Sequence, residues 1–162
     1  MAKAAKIDIV EIVVDTNEQK PYLFDGYPDV KVHREKLATG DYSIRGLEHR
    51  FTIERKSAED AYATFSRGRG RFVRELERMV DMDFAAVILE GSLRTLKYPP
   101  PKCEKVTPET VINSLLAWTI DFPIRVIFAD DRPNAEMAVR SLCWSYAVRA
   151  KDRVVSSGGW NT

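Results

Sequence analysis

Asp41, Glu54 and Lys56 place two carboxylates and an ammonium within a short stretch of chain. Glu54 and Lys56 are two apart at the end of a β-like segment, so on an extended backbone their side chains point to one face. Asp41 opens another short β-like segment, and a turn at Gly46 joins the two. Pairing of these neighbours carries Asp41 to the same face with no long-range contact assumed. Carboxylates held close together repel one another, so such a cluster calls for a cation. Mg²⁺ and Mn²⁺ take oxygen ligands. A bound ion neutralises charge on a phosphodiester and lowers the pKa of its water. A lysine beside it can position that water and stabilise charge as it develops. The chemistry these residue types suit is metal-assisted phosphodiester hydrolysis.

Other charged residues flank this set. Asp15 and Glu18 follow the first apolar segment, and Asp15 is a third candidate ligand. Arg55 lies between Glu54 and Lys56 and faces away from them on an ideal strand, towards a carboxylate or a phosphate. Asp60 is explained by helix capping alone, with a supporting role in the site as the alternative. Arg67, Arg69, Arg71 and Arg74 form a run with no acid between Asp60 and Glu75. Such a run is a solvated helix face or a stripe that contacts phosphates. Gly68 and Gly70 within it would let a backbone approach DNA closely.

The elements that must position these residues can be read from hydrophobic period and breakers. Ile7 to Val14 is β-branched and apolar, a buried strand. Val30 to Leu37 is a second strand, broken by Gly40; Asp41 to Ile44 and Phe51 to Glu54 are two more. Ser57 to Asp60 fits a capping box, with Ser57 as N-cap. The helix after it is interrupted at Gly68 and Gly70 and resumes at Phe72, Leu76, Met79 and Val80, as one kinked helix or two. Phe84 to Leu89 is a buried strand, and three consecutive prolines place Tyr98 to Lys105 in a loop. Thr107 caps a helix to Ile120 with Pro108 at its first position. Ile124 to Phe128 is a strand, and Pro133 to Lys151 a last helix. Strands first, then strand and helix in alternation, predict an α/β domain with a mixed sheet flanked by helices. It spans residues 1–153, with a frayed tail over 154–162.

Composition narrows the class. At 162 residues the chain suits one domain with a real core. Its net charge of +1 makes any basic footprint local. Cys103 and Cys143 form no C-x-x-C, which argues against a disulfide framework or zinc site. The polar start, Met1 to Lys6, is not a signal peptide. No apolar run approaches the ~20 residues of a membrane span. The expected setting is cytoplasmic, nucleoid-associated or phage-encoded. Trp118 and Trp144 fall on apolar helix faces, as core or subunit-interface residues. The apolar stretch from Val111 to Phe128 would serve a homodimer face or core packing equally. His33 and His49 stand alone and are assigned no role, and Glu90-Gly91 is read as a plain turn.

V-D-T-N-E (Val14 to Glu18), G-D-Y (Gly40 to Tyr42) and E-R-K-S-A-E-D (Glu54 to Asp60) together resemble the signature of the XPF-type (ERCC4-like) nuclease domain. That signature runs D-x-R-E, then G-D-Y, then E-R-K-x-x-x-D. Gly70-Arg71-Phe72 is similar to a glycine-arginine-apolar segment on the family's next helix. The resemblance covers roughly the first 90 residues well and the rest by pattern. It implies a restriction-endonuclease-like fold and cleavage of DNA, in repair or recombination, at forks or flaps with single-stranded portions. It implies Asp41 and Glu54 as ligands of Mg²⁺ or Mn²⁺ and Lys56 as the water-orienting base. Asp15, Glu18, Arg55 and Asp60 take supporting roles. Asn17 stands where the family usually has arginine. Many relatives carry helix-hairpin-helix repeats and work as dimers; none is read in this sequence, so a stand-alone phage or bacterial core is expected. A resolvase or restriction-type nuclease on the same core is one alternative, and an inactive DNA-binding scaffold another.

Overall fold

Apolar strands with no alternation must be covered on both faces, and here that places them at the middle of a sheet. The computed structural model describes residues 6–156. Its strands are β1 (Val10–Asp15), β2 (Val30–Glu35), β3 (Tyr42–Ile44), β4 (Phe51–Ser57), β5 (Phe84–Glu90) and β6 (Arg125–Phe128). They form one six-stranded sheet in the order β2-β1-β3-β4-β5-β6. β1 runs antiparallel to β3, and β3 to β4, whereas β1 with β2, β4 with β5 and β5 with β6 are parallel. The mixed sheet flanked by helices is the architecture expected from the element order.

Handedness sorts the two faces. From β4 the chain steps to β5 and then β6, so right-handed crossovers put both connections on one face. Those connections hold α1 (Ala58–Ala63), a π-helical turn (Thr64–Gly68), α2 (Arg69–Met79) and α3 (Pro108–Asp121). They pack Tyr62, Phe72, Leu76, Met79, Leu115 and Trp118 against Val87 and Leu89 of β5. From β1 the chain steps the other way to β2, and its loop covers the opposite face with Tyr22 and Phe24. There it joins α4 (Arg132–Ser156), Ile12, Ile53 and Ile88 in a second core. Each such fully buried aliphatic side chain is worth about 1.5–3 kcal/mol of transfer free energy.

Several boundaries shift for physical reasons. β1 starts at Val10, with Ile9 half exposed before it. β2 ends at Glu35 and β6 starts at Arg125. β4 runs to Ser57, beyond the predicted Glu54, because it pairs residue for residue with β5 from Phe51–Phe84 to Ser57–Glu90. α1, the π turn and α2 follow without a break, so the glycine interruption is a change of helical winding inside one rod. α4 extends from Arg132 to Ser156 and takes in Val154. Residues 157–162 of the expected tail lie outside the described residues. Ser57 closes the expected capping box, and Thr107 caps α3 with Pro108 inside its first turn. Cys103 and Cys143 are free. Trp118 is buried, and Trp144 is half-buried against α4's core. His33, read as unpartnered, has its Nε2 2.6 Å from Glu11 and its Nδ1 2.9 Å from Arg45. No helix among the described residues is long and apolar enough to cross a membrane.

Candidate active site

All the motif residues lie at one end of the sheet. β1, β4 and β5 finish there, and the antiparallel β3 begins there. Crevices beyond the carboxyl ends of strands are the usual ligand sites of open α/β sheets. Register aligns the acids: Val14 pairs with Tyr42, and Tyr42 with Ile53, so the next row is Asp15, Asp41 and Glu54. The backbone N–H of Asp41 donates to Ile53 O at 2.8 Å, and its carbonyl accepts from Asp15 N–H at 2.8 Å. Gly40 permits this entry. It has φ +74°, and a Cβ there would strike the Thr52 hydroxyl.

A cleft of about 640 Å³ opens over this row. Its floor is Asp41, Glu54 and Lys56. One wall is the loop Asn17, Glu18 and Gln19, and the other is the helical rod with Arg67, Arg71, Phe72 and Glu75. Asp41 and Glu54 are half-buried and line the cleft. Burial pushes the Asp41 carboxyl up to about 7, with Glu18 and Asp15 adding repulsion against the opposing Arg55 N–H. That N–H donates to Asp41 Oδ2 at 2.8 Å. Glu54 is raised well above the usual carboxylate range by burial, then by Asp41 and Glu75. Burial lowers the Lys56 pKa despite the acids around it, Glu54 foremost. Lys56 Nζ donates to Thr64 Oγ1 at 3.1 Å and lies 3.9 Å from the centre of the Phe72 ring.

The remaining candidates divide between the cleft and its supports. Asp15 is drawn away from the cleft lining. Its carboxylate accepts from Leu37 N–H at 2.8 Å, Lys36 Nζ at 3.1 Å and Asn17 N–H at 3.2 Å. Burial would raise its pKa, but these donors outweigh it and lower it. These bonds tie Asp15 to the residues that follow β2. Arg55 does face away from its neighbours. Its guanidinium is 9% exposed and clamped between Glu18 at 3.0 Å and Glu90 at 3.2 Å. Burial opposes that charge, yet the two carboxylates outweigh it and raise its pKa. Asp60 completes the capping box and also reaches the cleft rim. Of the four arginines, Arg67 and Arg71 line the cleft. Arg69 lies over the Phe65 ring at 5.8 Å instead, and Arg74 is exposed outside the lining. Gly68 and Gly70 lie within the helical rod, and Gly68 lines the cleft.

Some participants gave no signal that was read. Glu75 adds a carboxylate opposite Glu54; its spacing of four from Arg71 and three from Phe72 marks a shared helix face. Glu90 is not a plain turn residue. It accepts from Tyr22 OH at 2.7 Å and pairs with Arg132 at 3.1 Å as well as with Arg55. Nothing local announces Thr64 or Phe72 as partners of Lys56, because α1 separates the strand from Thr64 and the π turn resets the helical phase before Phe72.

The donor set fits a hard divalent cation of restricted protein ligation. Among the described residues no group of three or more His, Cys, Asp or Glu is arranged to hold a metal. Asp41 and Glu54 nevertheless present two carboxylates whose repulsion an ion relieves. Mg²⁺ is commonly held by one or two carboxylates, with waters and substrate phosphates completing its shell.

Comparison with known proteins agrees with this architecture. The ERCC4 domain family profile matches residues 14–137. XPF from Aeropyrum pernix superposes with TM-score 0.68 at 20% identity, over 88% of this chain and 67% of that one. The same protein in complex with DNA superposes with TM-score 0.64 at 19% identity, over 85% of this chain and 65% of that one. At these identities the likeness is one of fold, and the chain spans about two thirds of that relative's length. No curated protein matches the chain in sequence. Matched over most of its length, the chain belongs to the ERCC4 domain family.

Proposed function

We propose that this protein is a DNA endonuclease that hydrolyses phosphodiester bonds with Mg²⁺ or Mn²⁺, acting on branched or single-strand-containing DNA. The observation that carries the reading is the convergence of Asp41, Glu54 and Lys56 on the floor of one cleft, with Arg67 and Arg71 on its wall. A divalent ion held by Asp41 and Glu54 would supply an acidified water and neutralise phosphate charge. Arg67 and Arg71 would grip the backbone phosphates and hold the scissile group in register. Lys56, packed on an apolar ring, would orient the attacking water and steady charge on the phosphate oxygens. Family membership and a DNA-bound relative of the same fold support the substrate class.

A scaffolding role is disfavoured on energetic grounds. Two half-buried carboxylates with raised pKa values cost folding free energy at neutral pH, and a scaffold gains nothing from them. The test is cleavage of labelled forked, flapped, single-stranded and linear duplex DNA with Mg²⁺, Mn²⁺ or EDTA. Cleavage is expected with either cation and absent with EDTA. Asp41→Asn and Lys56→Ala should each slow it by roughly 10²–10³-fold, the range for removing one preorganised charge stabiliser. Cleavage that survives chelation, or both substitutions, overturns the assignment.

A further inference from the structure

We infer that Thr64, at the start of the π-helical turn, is a positioning residue that aims the Lys56 ammonium into the cleft, with Phe72 as the second side of its holder. The inference rests on the nuclease reading, which gives Lys56 its task.

Lys56 has a four-carbon stem and is 6% exposed. A flexible ammonium has no fixed aim of its own; neighbours must supply it. Two contacts do so here. Nζ donates to Thr64 Oγ1 at 3.1 Å, and that hydroxyl donates onward to Asp60 O at 2.8 Å. With its own proton committed to the carbonyl, the hydroxyl presents a lone pair to the ammonium. On another side the Phe72 ring centre lies 3.9 Å from Nζ, a cation–π distance. Two more rings immobilise the holder. Trp118 of α3 packs on Phe72 at 4.9 Å and on Phe65 at 4.8 Å, the latter inside the π turn.

The winding of the rod is what brings the two contacts to one point. Thr64 and Phe72 are eight residues apart, and a π turn lies between them. A π turn advances the helix by an extra residue and rotates everything after it. Thr64 is 6% exposed and Phe72 3%, so neither contact competes with bulk water. An ammonium needs three acceptors. The hydroxyl takes one proton, leaving donors for a water or phosphate oxygen in the cleft.

Thr64→Val tests this. Valine keeps the shape and β-branching but cannot accept from Lys56, and Asp60 O keeps the Thr64 backbone N–H. In the full-length protein with Mn²⁺, kcat for a cleaved DNA should fall roughly ten-fold, since small misplacements at a reacting centre cost up to about a hundred-fold. KM and Tm should hold, and Thr64→Ser should restore kcat. The deciding readout is a double-mutant cycle with Lys56→Met. In that background, Thr64→Val should change the residual rate by less than about two-fold, because the group it aims is gone. Wild-type kcat for Thr64→Val, with Lys56→Met impaired, overturns the inference and spares the nuclease reading. An equal loss in both backgrounds also overturns it, as the mark of a merely structural effect. Undiminished cleavage by Lys56→Met overturns both.

Discussion

The acids at this end of the sheet fall into two groups with opposite electrostatics. In the cleft's loop wall and behind it, Glu18 and Glu90 share Arg55, Glu90 adds Arg132, and Asp15 takes Lys36 with two backbone N–H groups. In front, Asp41 and Glu54 form no ion pair among the described residues, and both carboxyls are raised. Burial is the largest cause of the rise at both, and no ion pair offsets it. The chain gives ion pairs to one group and withholds them from the other, where the charges of Lys56 and Arg55 act on Glu54 and Asp41 only through space. A protein that needed only a stable fold would neutralise both. The withheld charge marks where a cation and an anionic substrate belong.

Substitutions of similar size should therefore act with opposite sign in the two regions. Arg55→Met strands Glu18 and Glu90 without their shared cation. Removing one partner of a buried pair costs about 3–5 kcal/mol, so a large fall in the denaturant midpoint is expected. An unchanged midpoint would show that the rear network is not structural. Asp41→Asn should do the reverse, raising the stability of the metal-free protein at pH 8 by on the order of 2 kcal/mol while slowing cleavage by roughly 10²–10³-fold. The stability figure is a discounted share of about 1.4 kcal/mol per unit of pKa displacement. The asparagine oxygen can still accept from Arg55 N–H. Loss of stability in this variant would contradict the division.

The pH dependence follows from the same carboxyl. Its folded value of about 7 stands above the ordinary 3.8, so the folded state holds the proton more tightly than the unfolded one. Its stabilising contribution is full below about pH 4, declines as pH rises through 7, and is gone above that. Thermal melts of the metal-free protein should lose this component between pH 4 and 8, and Asp41→Asn should flatten that part of the profile. Saturating Mg²⁺ at pH 8 should recover stability in the wild type and not in the variant. The smallest effect belongs to the cleft wall. Arg67→Ala with Arg71→Ala should lower DNA affinity and reduce the salt slope by about 2, one per phosphate contact. Arg69→Ala, with its guanidinium over Phe65, should do markedly less. Equal effects from all four arginines would return the run to an undifferentiated basic face.

What the sequence discloses follows the range of the interactions. Asp41, Glu54 and Lys56 were readable because strand period and a neighbouring strand decide where they point, and both act over a few residues. Thr107 and Ser57 were readable for the same reason, since a cap is a local bond. Glu75, Thr64 and Glu90 were not. Their partners lie on other elements, and for Glu75 the intervening π turn breaks the helical phase that sequence period relies on. The bonds of Asp15 to Lys36 and the Leu37 N–H were not readable either, because the parallel β2 brings those partners in from across the sheet.

The most direct test of the account is calorimetric titration of Mn²⁺ into the protein at pH 6.5, in two buffers of different ionisation enthalpy. The Asp41–Glu54 pair should bind the ion with release of protons, because ligation displaces what burial holds there. The Asp41→Asn, Glu54→Gln double variant should show neither the binding nor the release. Equal Mn²⁺ affinity in both proteins, or binding with no buffer dependence, would contradict the claim that these two carboxylates are the cation's seat.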